Sequence, residues 1–156
     1  YLWKKNRMKK SLILLIAFTF SLSLYSFSRP KATSHSLTIE VKDLRNSTGV
    51  VQFALYNKDG SIPDEYYEKT YQILKGKIIN GSSTLTFEHI PPGIYAVNIL
   101  HDENKNGKID KGFIFPIEGI GFSNFQSIGF TNRPNFAKAS FELKASKTIN
   151  VKVIYL

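Results

Sequence analysis

The chain has 156 residues, no cysteine and a formal net charge of +9 at pH 7. Without cysteine, a disulfide framework and a lipid-modified cysteine anchor are both excluded. Seven of the 21 basic residues and none of the acidic ones fall in residues 1–32, which leaves 14 basic against 12 acidic groups, or +2, in the rest. So small an excess gives no reason to expect a nucleic-acid partner.

In chain order, the first element is "MKKSLILLIAFTFSLSLYSFSRPKA". It has a basic start at Met8, Lys9 and Lys10, an apolar run from Leu12 to Phe20, then small and polar residues. That is the layout of a secretory signal peptide over 8–32, and its apolar run is shorter than the roughly 20 residues of a spanning helix. Ala32 or Ser28 would end it. The competing reading is an uncleaved anchor extended by "SLSLYSF". Residues 1–7 precede the first methionine and read as upstream residues. The expected product is an exported protein, periplasmic, extracellular or outer-membrane associated, with no stable membrane span and a single domain over 33–156.

Alternation with period two runs through that domain. "SLTIEVK" sets Leu37, Ile39 and Val41 on one face, and "VVQFALYN" does the same with Val51, Phe53 and Leu55. A weaker strand is expected between Tyr71 and Ile79. "STLTFEHI" offers Leu85 and Phe87, and "GIYAVNIL" offers Tyr95, Val97 and Ile99. "ASFELKA" and "KTINVKVIYL" close the series with Phe141, Leu143, Ile149, Val151 and Val153. Such alternation marks strands with one buried face. "NSTG" (46–49) and "NGSS" (80–83) supply turn residues that accept positive φ, and "PPG" (91–93) cannot join a central ladder. A helical turn is expected in "DGSIPDEYYEKTYQ", after Pro63. The fold class predicted is all-β: an antiparallel two-sheet sandwich, immunoglobulin-like or transthyretin-like, of about seven strands.

One stretch breaks the alternation. From Asp102 to about Lys138 no strand pattern is sustained, yet the segment holds many phenylalanines with Gly, Pro and Asn. It is too apolar to stay solvated and too glycine-rich for a helix. A long ordered loop folded over one end of the sandwich is expected, with Phe122 or Phe125 presented to a partner.

The start of that stretch carries the chemistry. In "DENKNGKID" oxygen-bearing side chains stand at Asp102, Asn104 and Asn106, Gly107 follows where a sharp turn is needed, Lys108 offers a carbonyl, and Asp110 closes the series. A hard cation such as Ca²⁺ takes six to eight oxygens, and alternate side chains converging around a glycine supply them. The pattern matches the first nine positions of an EF-hand-type loop. It fails at position twelve, which is Phe113, and no helix flanks it, so an EF-hand fold is excluded. Glu118 is the nearest replacement carboxylate. With Lys105, Lys108 and Lys111 offsetting the acids, affinity is expected at the weak end, about 10⁻⁴–10⁻³ M. The competing reading is an Asx-rich turn that bonds only its own backbone.

Catalytic signatures are poor. His35, His89 and His101 have no second His or Cys at zinc spacing, and "GFSNF" lacks the nucleophile-elbow context. Tyr66, Tyr67 and Tyr71 suit a partly buried cluster better than a binding patch.

"FEHIPPGIYAVNILHDENKNGKID", with "PIEGIGFSN" and "RPNFAKASFEL", resembles an exported bacterial family, domain of unknown function 2141. Its hallmarks fall on Pro92–Ala96, His101–Asp110 and Ile114–Asn124. The resemblance implies a small exported β-sandwich of Gram-negative-type bacteria with no established activity. His101, Asp102, Asn104, Asn106, Gly107, Asp110, Glu118, Gly121, Phe122, Ser123 and Asn124 would be its shared core. "IFP" at 114–116 departs from the family's Gly-Ile-Pro, so the backbone before Pro116 is expected to run differently.

Three readings of function result. The first is a non-enzymatic exported binding or scaffolding module with a weak calcium loop at 102–110, serving an envelope or extracellular partner. The second is a small hydrolase-like enzyme using His101 with Asp102 or Glu118. The third is a structural subunit of an envelope assembly that joins through a strand edge.

Overall fold

The computed structural model describes residues 33–156, and the expected signal segment at 8–32 and the residues before it lie outside the described residues. Eight strands make two sheets. They are β1 (His35–Val41), β2 (Val50–Tyr56), β3 (Gln72–Gly76), β4 (Ser83–Ile90), β5 (Gly93–Asp102), β6 (Gly119–Phe122), β7 (Phe141–Leu143) and β8 (Lys147–Asn150). One sheet has the order β4-β1-β8, the other β3-β2-β5-β6, with β7 also paired to β5.

The alternation dictates the core. Leu37, Ile39 and Val41 of β1 face Val51, Phe53 and Leu55 of β2 and Val97 and Ile99 of β5 across the gap between the sheets, all fully buried. Packing of two apolar faces is what makes the sandwich. The register is antiparallel throughout except at β1 and β8, which run parallel from Leu37↔Lys147 to Glu40↔Asn150. The predicted purely antiparallel arrangement is corrected at that pair. After β8 the chain continues irregularly, and Val151 and Val153 still enter the core.

In the five-stranded sheet, strands β2 and β6 and most of β5 are buried on both faces. On its outer side Ala54 and Tyr56 of β2 and Ala96 and Leu100 of β5 meet Ile120, Phe122, Phe125 and Phe136. The phenylalanine-rich segment therefore covers a face of the sandwich, where an end was expected. Phe122 and Phe125 are its anchors rather than a display: both are buried, while Phe113, Ile114, Phe115, Ile117 and Phe130 are the exposed large apolar groups of the segment.

Two elements within that segment depart from expectation. β6 is a real strand, paired to β5 from Asn98↔Phe122 to His101↔Gly119, which raises the count to eight. A single helical turn, α1 (Phe136–Ala139), follows, with Asn135 accepting from the Lys138 N–H at its N-cap. The helical turn expected around 59–72 does not form. There the Asp64 carboxylate accepts from the N–H groups of Glu68 and Lys69, at 3.1 and 2.8 Å, closing a turn instead. Tyr67, at φ 59°, stops any helical continuation. Tyr67 itself is buried, Tyr66 is exposed, and Tyr71 stacks edge-on to Tyr95.

Candidate functional site

Strand β5 delivers the loop. Its last two residues, His101 and Asp102, are both fully buried. The Asp102 Oδ2 accepts the Gly107 N–H at 3.0 Å, so the first residue of the loop grips the turn glycine five positions on. Gly107 sits at φ 78°, where a side chain would be strained. Asn104 Oδ1 accepts the Asn106 N–H and Asn106 Oδ1 accepts the Lys108 N–H, each at 3.0 Å. Both amide Nδ2 groups donate to Asp110 Oδ2, at 2.6 and 2.7 Å. The side chains of 104, 106 and 110 thus meet one another at the surface, where Asn104 and Asn106 are exposed like Lys105 and Lys108 and Asp110 is half-buried. Each amide oxygen still has a second lone pair. Ile109 pins the loop by packing on the outer-face cluster, and its N–H donates to the Glu65 carbonyl at 3.1 Å.

Glu118, just before β6, comes back over this loop. Its Oε1 accepts the Glu103 N–H at 2.9 Å. Glu118 lines one small cleft with Asn104 and Asp110. Two carboxylate oxygens here are buried with no hydrogen-bond partner in the protein: Asp102 Oδ1 and Glu118 Oε2. Buried acceptors without partners are rare and costly, about 1–3 kcal/mol each. Yet among the described residues no three His, Cys, Asp or Glu side chains form a ready metal cluster. The carboxylates do not converge by themselves, and the amides and a backbone carbonyl would have to complete any cation sphere.

Burial, above all, pushes the Glu118 carboxyl above its ordinary value, with the charges of Asp102 and Asp110 adding to it and the Glu103 N–H opposing. A carboxyl raised in the folded state is worth most when protonated, and its contribution falls as pH rises above about 4.5, the unfolded value. Glu118→Gln should therefore raise stability at pH 7 without added metal, relative to pH 4.5, and flatten the decline above pH 4.5. Urea unfolding at the two pH values reads both, and a loss of stability at pH 7 would contradict the burial cost.

Several neighbours carry no signal in the sequence. Arg45 forks onto Glu103, Nε to Oε1 at 2.9 Å and Nη2 to Oε2, and also donates to the Ile117 carbonyl at 3.2 Å. Its guanidinium lies 4.7 Å from the centroid of the Tyr155 ring. The hydrogen bond from Arg45 first, then one from Asn46, holds the Glu103 carboxyl down at about 2. That contribution is present above pH 4.5 and is lost as pH falls through 2. Because the pair is partly exposed, Arg45→Ala is expected to cost only about 1–2 kcal/mol, with weaker acid sensitivity between pH 4.5 and 2, measurable by thermal melting. Lys75 reaches Asp102 Oδ2 at 3.3 Å, and Lys111 pairs with Glu65.

His101 is committed to the fold. Its Nε2 donates to the Thr48 carbonyl at 2.9 Å, so in the neutral ring Nδ1 accepts from the Tyr155 hydroxyl at 2.7 Å. Both ring nitrogens are engaged. His35 and His89 stand on β1 and at the end of β4, His89 exposed and at φ 59°.

The family model described as an uncharacterized protein conserved in bacteria, domain of unknown function 2141, matches residues 39–151. The chain belongs to this family. The match takes in the end of β1, β2 through β8, the 102–110 loop and Glu118, so the loop lies inside the domain 2141 unit. Neither a curated protein nor a solved structure matches the chain.

Proposed function

We propose that this domain 2141 protein is an exported, non-enzymatic binding or scaffolding module whose loop at 102–110 takes up Ca²⁺. Asp102 and Asp110 supply charge, Asn104 and Asn106 neutral oxygens, Lys108 its carbonyl, and Glu118 the carboxylate that position twelve lacks. The observation that carries the reading is the pair of buried oxygens, Asp102 Oδ1 and Glu118 Oε2, left without partners in a region where Glu118 shares a cleft with Asn104 and Asp110 and both amides bond Asp110. A cation would satisfy both and offset the burial, and after it the repulsion from Asp102 and Asp110, that raises Glu118. The hydrolase-like reading is disfavoured by the engagement of both His101 nitrogens and the full burial of its ring.

The module is held together at this end by the cation, which keeps the covering segment on the outer face of the five-stranded sheet. With a Kd of about 10⁻⁴–10⁻³ M, tenfold excess Ca²⁺ should stabilise the fold by about 1.4 kcal/mol, about 5 °C in Tm. Thermal melting across 0–10 mM Ca²⁺, with Mg²⁺ as the control, tests it. The rise should be absent in Glu118→Gln. An unchanged Tm in wild-type protein at about ten millimolar Ca²⁺ would overturn the calcium reading.

A further inference from the structure

The covering segment does not pack flush on the outer face of the sheet. It leaves a cavity of about 280 Å³, floored by Tyr56, Asn98 and Phe122 and roofed by Phe115 and Phe130. The volume matches about nine waters, at roughly 30 Å³ each, or a single ring with a short substituent, and the lining is mostly apolar and aromatic. Asp64, Glu65, Lys111 and Arg133 also line it, none of them buried, and Asn98 is the one buried polar side chain of the lining among the described residues. It is 2% exposed, its Nδ2 donates to the Gly121 carbonyl at 3.1 Å, and its Oδ1 has no partner in the protein. Nearly all buried amide oxygens accept from a donor, so the Asn98 oxygen is an acceptor that the protein itself leaves free. The Tyr56 hydroxyl does not serve, since it is turned to Asp64 Oδ2 at 3.3 Å.

We infer that the cavity is a binding site for a compact aromatic molecule bearing a hydroxyl or N–H donor, the phenol class, with the ring held between Phe122 and Phe130 and the donor on Asn98 Oδ1. Aromatic walls prefer offset or edge-on rings, and Phe122 and Phe130 already engage Phe125 and Phe115 in that manner. The acceptor sets the specificity: a molecule of the same shape without the donor leaves the Asn98 oxygen unpaired and binds more weakly. None of the six proposed calcium ligands lines this cavity, although Ile109 of the same loop does, so the titration is run with and without Ca²⁺ to separate the two readings.

The test is a ¹H–¹⁵N NMR titration of the whole protein with 4-methylphenol and, in parallel, toluene, at matched concentrations with and without Ca²⁺. 4-Methylphenol should shift the amide signals of Asn98, Phe122 and Phe130 saturably, with a Kd of about 10⁻⁴–10⁻³ M, and toluene should bind about tenfold more weakly or worse. Asn98→Leu should abolish the preference. Because that change also removes the bond to Gly121, Ile128→Trp provides a second variant, which fills the cavity from the covering segment and should eliminate binding by both compounds. Equal affinity for the two compounds would overturn the assignment of Asn98. Saturable shifts confined to other residues, or none at all, would overturn the site.

Discussion

Gly49→Ala is expected to destabilise the domain by about 2–5 kcal/mol, combining left-handed strain with a forced backbone shift. Gly49 sits at φ +80°, and a Cβ there would lie 2.1 Å from the Asp102 carbonyl oxygen and 2.5 Å from the Glu103 Cα. Both are backbone atoms, so no side chain can swing aside. The turn "NSTG" is therefore pressed against the point where β5 becomes the loop, and His101 is tied to the same turn through Thr48. A domain of this size has only about 5–15 kcal/mol in hand, so a large part of its stability rests on this one approach. Gly60→Ala is the matched control: φ is +71° and nothing lies within 4 Å of the added Cβ, so only the strain, about 1–2 kcal/mol, should appear. Urea unfolding of the two variants separates strain from contact. Equal losses would mean that the approach of the turn to β5 is not tight.

Asp102→Ala should cost about 3 kcal/mol and remove any calcium response. Asp102 is fully buried, accepts the Gly107 N–H and pairs with Lys75. Truncation strands the glycine N–H and opens a small void, and the loop loses the grip that closes it. Asp102→Asn keeps the shape and an acceptor for Gly107, so it should cost about 1 kcal/mol while still eliminating the metal effect. Denaturation curves for both, with and without 10 mM Ca²⁺, distinguish the structural part of the residue from its charge. If Asp102→Asn retained the full calcium shift, the carboxylate would have no part in it.

The strands were legible where both requirements of a half-buried strand were met, alternation and β-branched or aromatic residues. β1 and β2 show this most clearly. β6 was not legible, because "GIGF" puts glycine at alternate positions. The structure explains why: a Cβ on Gly119 would lie 2.3 Å from the Tyr155 ring, and one on Gly121 would lie 2.5 Å from the Lys152 carbonyl oxygen. The returning C-terminal segment lies so close that only glycine fits, and the same glycines make the strand read as loop. The burial of β2 and β5 on both faces was concealed for a related reason, since Gln52 and Asn98 occupy the second face and look like solvent positions.

Within the site, legibility followed sequence distance. Asp102, Asn104, Asn106, Gly107 and Asp110 form one contiguous pattern, so a turn closed by its own side chains could be anticipated. Arg45 and Glu103 are 58 residues apart, His101 and Tyr155 are 54 apart, and Lys75 is 27 from Asp102. No local spacing reports such pairs; they follow from sheet register and from the path of the covering segment. Glu118 lies between the two cases. It was reachable as the next carboxylate along the chain, but its burial and its unpartnered oxygen are properties of the fold.

On the proposed function, Asp102, Asn104, Asn106, Asp110 and Glu118 together close around a cation. A crystal structure grown in millimolar CaCl₂ addresses this directly. The account predicts one ion with oxygens of these five residues and the Lys108 carbonyl at roughly 2.3–2.6 Å, and with Glu118 Oε2 among them. Density for a cation held by surface carboxylates elsewhere, with Glu118 Oε2 still facing the protein and Asp110 still bonded to both amides, would contradict it.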